Sequence, residues 1–284
     1  MALIWTFVAG LGGLALAGSF LGALHPAGDS LAVFRLWIAG ALALWLLLGT
    51  SLGLCRWTWL ILPAVAILPV LWAYSAPEGG GERTIYQKNM LFRPKDLGPI
   101  EADIRSVGAD IVMLQEVSDA NQPILGALSD MLPSQTFCPG PSVGGVAVLS
   151  RWPKIEGTEV CASGVAAMRV RSPDGPLWIV SVHLSWPWPR AQAAQVRILE
   201  DRLRMLDGPV VMAGDFNMVR WSSAVRRLAR ASRTAPAGRA RGSFRLVDTV
   251  PIAIDNVLIP KGEHGASELR GLFGSDHKGL VVRY

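Results

Sequence analysis

The sequence predicts a two-part chain: N-terminal transmembrane helices, then a layered α/β sandwich with helices outside packed sheets. Two observations carry that division. Residues 1–75 hold only three charged side chains (Asp29, Arg35, Arg56) and six of the eleven Trp, although 17% of all 284 residues are charged. Residues 76–284 return to an ordinary balance, 25 Lys and Arg against 21 Asp and Glu, with short apolar runs alternating with amphipathic stretches. A uniform globular domain, a disordered chain and a disulfide-dense mini-protein are excluded by this split.

The anchor, residues 1–75, contains three apolar runs at about 2–24, 31–55 and 57–74. Each reaches or approaches the ~20 residues a helix needs to cross a bilayer. His25-Pro26-Ala27-Gly28-Asp29-Ser30 punctuates the first gap, and Cys55-Arg56-Trp57 forms a tight second turn. Trp5, Trp37, Trp57, Trp59 and Trp72 lie toward run ends, where interfacial indoles are favoured. Pro63 and Pro69 are tolerated in a bilayer bundle. No basic segment precedes the first run and two more runs follow it, which argues against a cleaved signal peptide. The expectation is three spans, with two spans plus a re-entrant or interfacial segment as the alternative. No acidic or His chain runs through them, so anchoring is preferred to transport. Arg56 in the second loop, against Asp29 in the first, places Arg56 and the N-terminus on the cytoplasmic side of an inner (plasma) membrane and the C-terminal part on the external, periplasmic side. There Cys138 and Cys161 either pair or stay as two unrelated buried thiols.

Residues 76–83 read as a short polar, Gly-rich linker, and 84–284 as the second domain. Strands are expected at 84–91, 111–117, 144–150, 165–170, 177–184, 210–213, 253–259 and 280–283. Helices are expected at 98–107, 190–206 and 222–231, the last rich in Arg.

Chemically capable residues fall at the ends of these apolar runs. They are Asn89, Glu116 in IVMLQEV, His183, Asp215 and Asn217 in GDFN, Asp255 in AIDNVLI, and Asp276-His277 in GSDH. Any one alone reads as a turn former or cap. Carboxylate and amide oxygens without a Cys or multi-His cluster favour Mg²⁺ or Mn²⁺ over zinc. A carboxylate–His pair supplies an oriented base for water. Together these groups describe hydrolysis of a phosphate ester.

QEV at 115–117, VAVLSRWP at 146–153, SVHL at 181–184, GDFN at 214–217, AIDNVLI at 253–259 and SDH at 275–277 occur in the order of one superfamily. By them the chain resembles the endonuclease/exonuclease/phosphatase superfamily, of deoxyribonuclease I type, over residues 84–284. The resemblance implies a four-layered α/β/β/α sandwich. It further implies metal-side roles for Glu116, Asn89 and Asp276, and water activation by Asp215. Asn217 would hold phosphate or help bind metal. Asp255 would orient His277 as general base or phosphate-binding group, and His183 would act as acid or oxyanion stabiliser on the opposite wall. Asn256 stands where many members carry His or Tyr. The domain is short for the superfamily, so substrate-specifying insertions are expected to be missing.

Between Met218 and Val250 stand eight Arg and one acid. This run reads as a footprint for a polyanion, as attraction to anionic headgroups, or as a solvated helix followed by a loose Ala/Gly/Arg loop at 235–242. Arg220, Trp221, Arg226 and Arg227 are its candidate substrate contacts, with Trp221 stacking on a base. Trp186 and Trp188 form a second candidate surface. The expected function is a membrane-anchored, Mg²⁺- or Mn²⁺-dependent phosphodiesterase, a nuclease acting on nucleic acid. The alternatives are a phospholipid or headgroup phosphodiesterase or phosphatase, and a non-catalytic polyanion binder. The lipid membrane is a partner through the anchor; no motif points to a protein partner.

Overall fold

Long Leu, Ala and Ile runs fold as helices because a helix satisfies its own backbone groups. In the computed structural model, which describes residues 2–93, 96–247 and 249–284, α1 spans Ala2–Gly18, α2 Ala27–Val33, α3 Arg35–Ser51 and α4 Ile61–Ser75, with a 3-10 turn at Trp57–Leu60. α3 packs between α1 and α4, burying Leu16, Leu42, Leu46 and Ala66, while Leu3, Phe7, Leu14, Leu44 and Trp72 face outward.

The expected three full spans are not supported by the helix lengths. Among the described residues only Trp57–Ser75, 19 residues, is by itself long and apolar enough to cross a membrane. α2 and α3 qualify only as a pair bent by 72°, and α1 is 17 residues long. The cause is local. The first run stops at Gly18, and buried Arg35 turns back to donate to the Ser19 hydroxyl at 2.9 Å and to the Ser19 carbonyl just past that end. His25 and Pro26 lie in the turn that follows.

The rest of the chain supplies fourteen strands and four helices among the described residues. In order they are β1 Thr84–Asn89, α5 Gly98–Val107, β2 Ile111–Val117, α6 Pro123–Ala127, β3 Ser134–Cys138, β4 Gly145–Ser150, β5 Val160–Ala162, β6 Val165–Ser172 and β7 Gly175–His183. Then follow α7 Gln192–Arg204, β8 Val210–Asp215, α8 Ser223–Ala231, β9 Thr234–Pro236, β10 Phe244–Leu246, β11 Val250–Ile252, β12 Asp255–Pro260, β13 Ala266–Leu269 and β14 Leu280–Arg283. Two six-stranded sheets result, ordered β13-β14-β1-β2-β4-β3 and β5-β6-β7-β8-β12-β9, with β10-β11 as a separate hairpin. Ile85, Met113, Val148, Met168, Ile179, Val211 and Val257 fill the space between the sheets. Ile100 and Ile104 of α5 cover the outer face of the first sheet, and Val196, Leu199, Val225 and Leu228 of α7 and α8 cover the second. Helix, sheet, sheet and helix therefore stack as four layers.

β1 and β2 are parallel, as are β7 and β8. Parallel neighbours end at the same edge, so Asn89, Glu116, His183 and Asp215 emerge together. β12 runs antiparallel to β8 and begins where β8 ends, with Asp255 opposite Asp215.

The helical region shares this core. Ala32, Val33, Val70 and Ala73 pack into the cluster beneath α7 and α8. Asp29, the one acid of residues 1–75, accepts from the Ser223 and Ala224 amides at 2.6 and 2.9 Å, capping α8 at its positive end. Ser222 accepts from the Val225 amide, completing the cap. Cys138 of β3 and Cys161 of β5 are joined by a disulfide that fastens the edges of the two sheets.

The 76–83 segment is docked. Glu78 accepts from the Ser267 amide at 3.0 Å, from Arg241 at 3.0 Å and from the Arg239 amide at 3.2 Å. Partial burial works against the Glu78 carboxylate, but these donors and the Arg241 charge outweigh it and hold its pKa at about 2. A depressed carboxylate stabilises the fold above its unfolded value of 4.5, and the contribution is lost as pH falls toward 2. Glu78→Gln should therefore lower Tm near neutral pH, and the gap from the parent chain should close in melts taken between pH 4.5 and 2.

Candidate active site

The convergent strand ends open into a cleft of about 570 Å³, lined by Glu116, His183, Asp215, Asn217, Asp276 and His277 among others. Glu116 reaches it through a backbone irregularity. The register between β2 and β4 shifts between Gln115 and Val117, and Glu116 has φ of 56°. A bulge of this kind turns one side chain out of the strand's alternation, here toward the cleft. Gly214 is required for the same geometry, because a Cβ there would overlap the Val182 carbonyl of the neighbouring strand.

Asn89 bridges the acids. Its amide nitrogen donates to Glu116 at 3.0 Å and to Asp215 at 3.1 Å, while its oxygen accepts from the Leu91 amide. His183 Nε2 lies 3.8 Å from both Glu116 Oε1 and Asp215 Oδ2. His277 Nε2 approaches Asp215 Oδ2 from the other side at 3.7 Å, and its Nδ1 meets Asp255 Oδ2 at 2.8 Å. Asn217 donates its backbone N–H to Asp215 at 2.8 Å and its side-chain amide to the Leu184 carbonyl at 2.7 Å, tying the ends of β7 and β8 together. Asn256 is buried and donates to the Met218 and Ile254 carbonyls, away from the cleft.

The two buried acids are driven apart. Burial pushes the Asp215 carboxyl up, and the nearby Asp255 charge adds to this against the two imidazoles. Burial also acts on Asp255, but the His277 charge and hydrogen bonds from His277, Ser243 and Gln87 pull it below its ordinary value. Burial disfavours the charged His277 ring, yet Asp255 and Asp215 together overcome that and push it up to about 10. Opposed shifts of this kind are how a site separates an acid from a base.

Asp215, Asp255 and His277 bring ligand-type atoms within 4.8 Å of one another. Asp255 is nevertheless committed, with Oδ1 accepting from Gln87 and Oδ2 from Ser243 and His277. The acids that line the cleft are Glu116 and Asp215, with exposed Asp276 on the rim. Two carboxylates held together by one amide suit a small hard cation and not a thiophilic one.

The structure does not bring the four arginine-run contacts to this cleft. Trp221 is buried and donates to the Ala32 carbonyl at 2.8 Å, so its ring is not available for stacking on a base. Arg220 is buried and donates to the Gly238 and Arg239 carbonyls. Arg227 pairs with Glu200, and Arg226 is exposed on α8 outside the cleft lining. Arg233, Arg239 and Arg241 also have partners, in the Leu206 carbonyl and Glu78. The 235–242 segment is accordingly ordered, with Ala237 and Ala240 buried.

Two residues near the site escaped sequence reasoning. Phe244 stacks against His277 with ring centroids 4.8 Å apart, and Trp186 meets Phe244 edge-on at 6.1 Å. Lys88, wholly buried beside Asn89, donates to the Gly271 carbonyl at 3.2 Å, the Leu272 carbonyl at 2.8 Å and the His277 carbonyl. Burial pushes its ammonium down to about 8. The available signal was the lysine next to Asn89 in the strand TIYQKN.

The profile of the Endonuclease/Exonuclease/phosphatase family matches residues 87–277. No curated protein matches the chain. Among solved structures, truncated TDP2 of Caenorhabditis elegans is similar at a TM-score of 0.57 and 15% identity, over 70% of this chain and 96% of that one. Sphingomyelinase C of Streptomyces griseocarneus is similar at 0.51 and 18%, over 73% and 99%. A beta toxin variant of Staphylococcus aureus, with bound magnesium ions, is similar at 0.52 and 14%, over 70% and 98%. These likenesses show a shared fold.

Lys88→Met keeps the length of the side chain but leaves three carbonyls without their donor. It should cost about 2 kcal/mol and speed amide hydrogen exchange across residues 271–277, while amides of β2 and β8 stay protected.

Proposed function

The chain belongs to the endonuclease/exonuclease/phosphatase family, and from that premise we propose that it is a membrane-anchored, divalent-metal-dependent phosphodiesterase. The observation that carries the reading is the meeting of Asn89, Glu116, Asp215, His183 and the Asp255–His277 pair in one cleft. Glu116, with Asn89 beside it and Asp276 in support, would hold Mg²⁺ or Mn²⁺. The ion, when bound, neutralises phosphate oxygens and charge on the leaving oxygen. Asp215, its carboxyl raised by burial, orients water and takes its proton. His277, kept protonated by Asp255, donates to a phosphate oxygen or the leaving group. His183 faces the phosphate from the opposite wall.

Nucleic acid was the substrate selected by the arginine run. Five of those eight arginines have partners inside the fold, which removes that ground. Nucleic acids therefore enter as comparison substrates. The anchor is proposed to lie in an inner (plasma) membrane with the catalytic domain on the external, periplasmic side. Its support is that Arg56 follows α3 at the end away from the domain, and that a disulfide favours an oxidising compartment.

Full-length chain in detergent should hydrolyse bis-p-nitrophenyl phosphate with Mg²⁺ and lose this in EDTA. Asp215→Asn and His277→Gln should each lower kcat by about 10²- to 10⁴-fold. Unchanged rates in both variants would sink the catalytic assignment. Cleavage of plasmid DNA or RNA that falls steeply with salt would restore nucleic acid as the substrate; tight polyanion binding without turnover would make the chain a binder. For the topology, alkaline phosphatase fused after Tyr284 should be active, and a fusion active only with a cytoplasmic reporter would reverse the orientation.

A further inference from the structure

An apolar strip connects the helical region to the reacting end of the cleft. Leu24, 81% exposed at the end of the α1–α2 turn, lines a small cavity of about 120 Å³ together with Trp188. Trp188 is half exposed, meets His25 edge-on at 6.0 Å, and its carbonyl accepts from Ser30 at 2.8 Å. Two residues earlier on the same loop, Trp186 is also half exposed and lines the cleft. Its ring meets Phe244, which stacks on His277. Each neighbour in the series Leu24, Trp188, Trp186, Phe244, His277 thus shares a cavity, a loop or a ring contact with the next. Exposed arginines flank the strip: Arg190 at the cleft and Arg197 beside Trp188.

Exposed indoles and leucines beside basic side chains suit the boundary between acyl chains and headgroups. Tryptophan has an apolar body and one polar N–H, and arginine is drawn to anionic lipid surfaces. A nucleic acid would gain nothing from Leu24.

We propose that the strip is the approach of a membrane-resident substrate, an anionic glycerophospholipid of the bilayer that holds the helices. This rests on the phosphodiesterase reading above. The acyl portion would follow Leu24, Trp188 and Trp186, setting the phosphate against His277 with the diacylglycerol side toward Phe244. In the reaction the oxygen of water bonds to phosphorus and the bond from phosphorus to the diacylglycerol oxygen breaks. Asp215 takes one proton from water and His277 gives one to the leaving oxygen. The products are diacylglycerol and a phosphomonoester of the headgroup alcohol, so the reaction is a hydrolysis with no change of oxidation state.

The test uses the full chain reconstituted in vesicles of phosphatidylcholine and phosphatidylglycerol with Mg²⁺, reading diacylglycerol and glycerol phosphate. Bis-p-nitrophenyl phosphate is assayed in the same preparations. Phosphatidylglycerol should be cleaved. Leu24→Ser and Trp188→Ala should each lower vesicle turnover at least about tenfold, by loss of apolar contact, with turnover of the soluble diester within about twofold of the parent. Uncleaved vesicles alongside a hydrolysed soluble diester or plasmid would overturn the lipid substrate and leave the phosphodiesterase reading standing. Equal loss on vesicles and soluble diester would overturn the role of the strip. Failure to hydrolyse any of these diesters overturns both readings.

Discussion

The arrangement depends on a buried polar bridge between the two sheets. Most of that interface is filled by Ile, Val, Leu and Met, which are attracted without direction and tolerate sliding. Across it Gln87 of β1 donates to Gln115 of β2 and to Asp255 of β12, both at 2.8 Å, and Gln115 donates to Ser181 of β7 at 2.9 Å. All four side chains are buried, so a shift of one sheet past the other would strand several polar groups at once. The bridge lies directly behind the cleft and holds one oxygen of Asp255. The geometry of His277 is therefore tied to the register of the whole sandwich, through a carboxylate with no remaining freedom.

A second constraint joins the helical region to the domain. An acid between apolar runs reads from sequence as a loop residue and a weak topology signal. In the fold, Asp29 closes the N-terminus of α8 while Ala32 accepts from Trp221 in the preceding turn. Both contacts link residues almost two hundred positions apart, and both are buried. The helices are thus packed against the catalytic layer as one side of its core. A flexible tether would leave the orientation of the cleft to chance, whereas this junction fixes it relative to α1–α4.

Much of this was legible in the sequence where one local signal sufficed. The helix at 98–107 and the strands at 111–117 and 280–283 have the expected bounds. Strands β4, β6, β7 and β12 begin or end within two residues of expectation at one or both ends, because continuous apolar runs mark buried strands. The elements missed were short: α6, β3, β5, β9, β10, β11 and β13 have three to five residues each, too few for a period to show. The polar residues at strand ends could be identified singly, but their convergence depends on β1–β2 and β7–β8 being parallel, a pairing that no local pattern encodes.

The arginine run shows why charge counts mislead when partners are remote. Its excess of positive charge is real, yet Glu78, far from it in sequence, engages Arg239 and Arg241, and Glu200 on the preceding helix engages Arg227. A buried or paired guanidinium orders the chain around it and no longer advertises itself to a ligand. What remains on the surface differs in chemistry from what the composition implied: a few separate arginines beside Trp186, Trp188 and Leu24. A polyanion in free solution is selected by concentrated charge, and here the charge has been used internally. The contacts left for recognition combine apolar area with isolated cations, and that combination discriminates by where a substrate resides as much as by its phosphate.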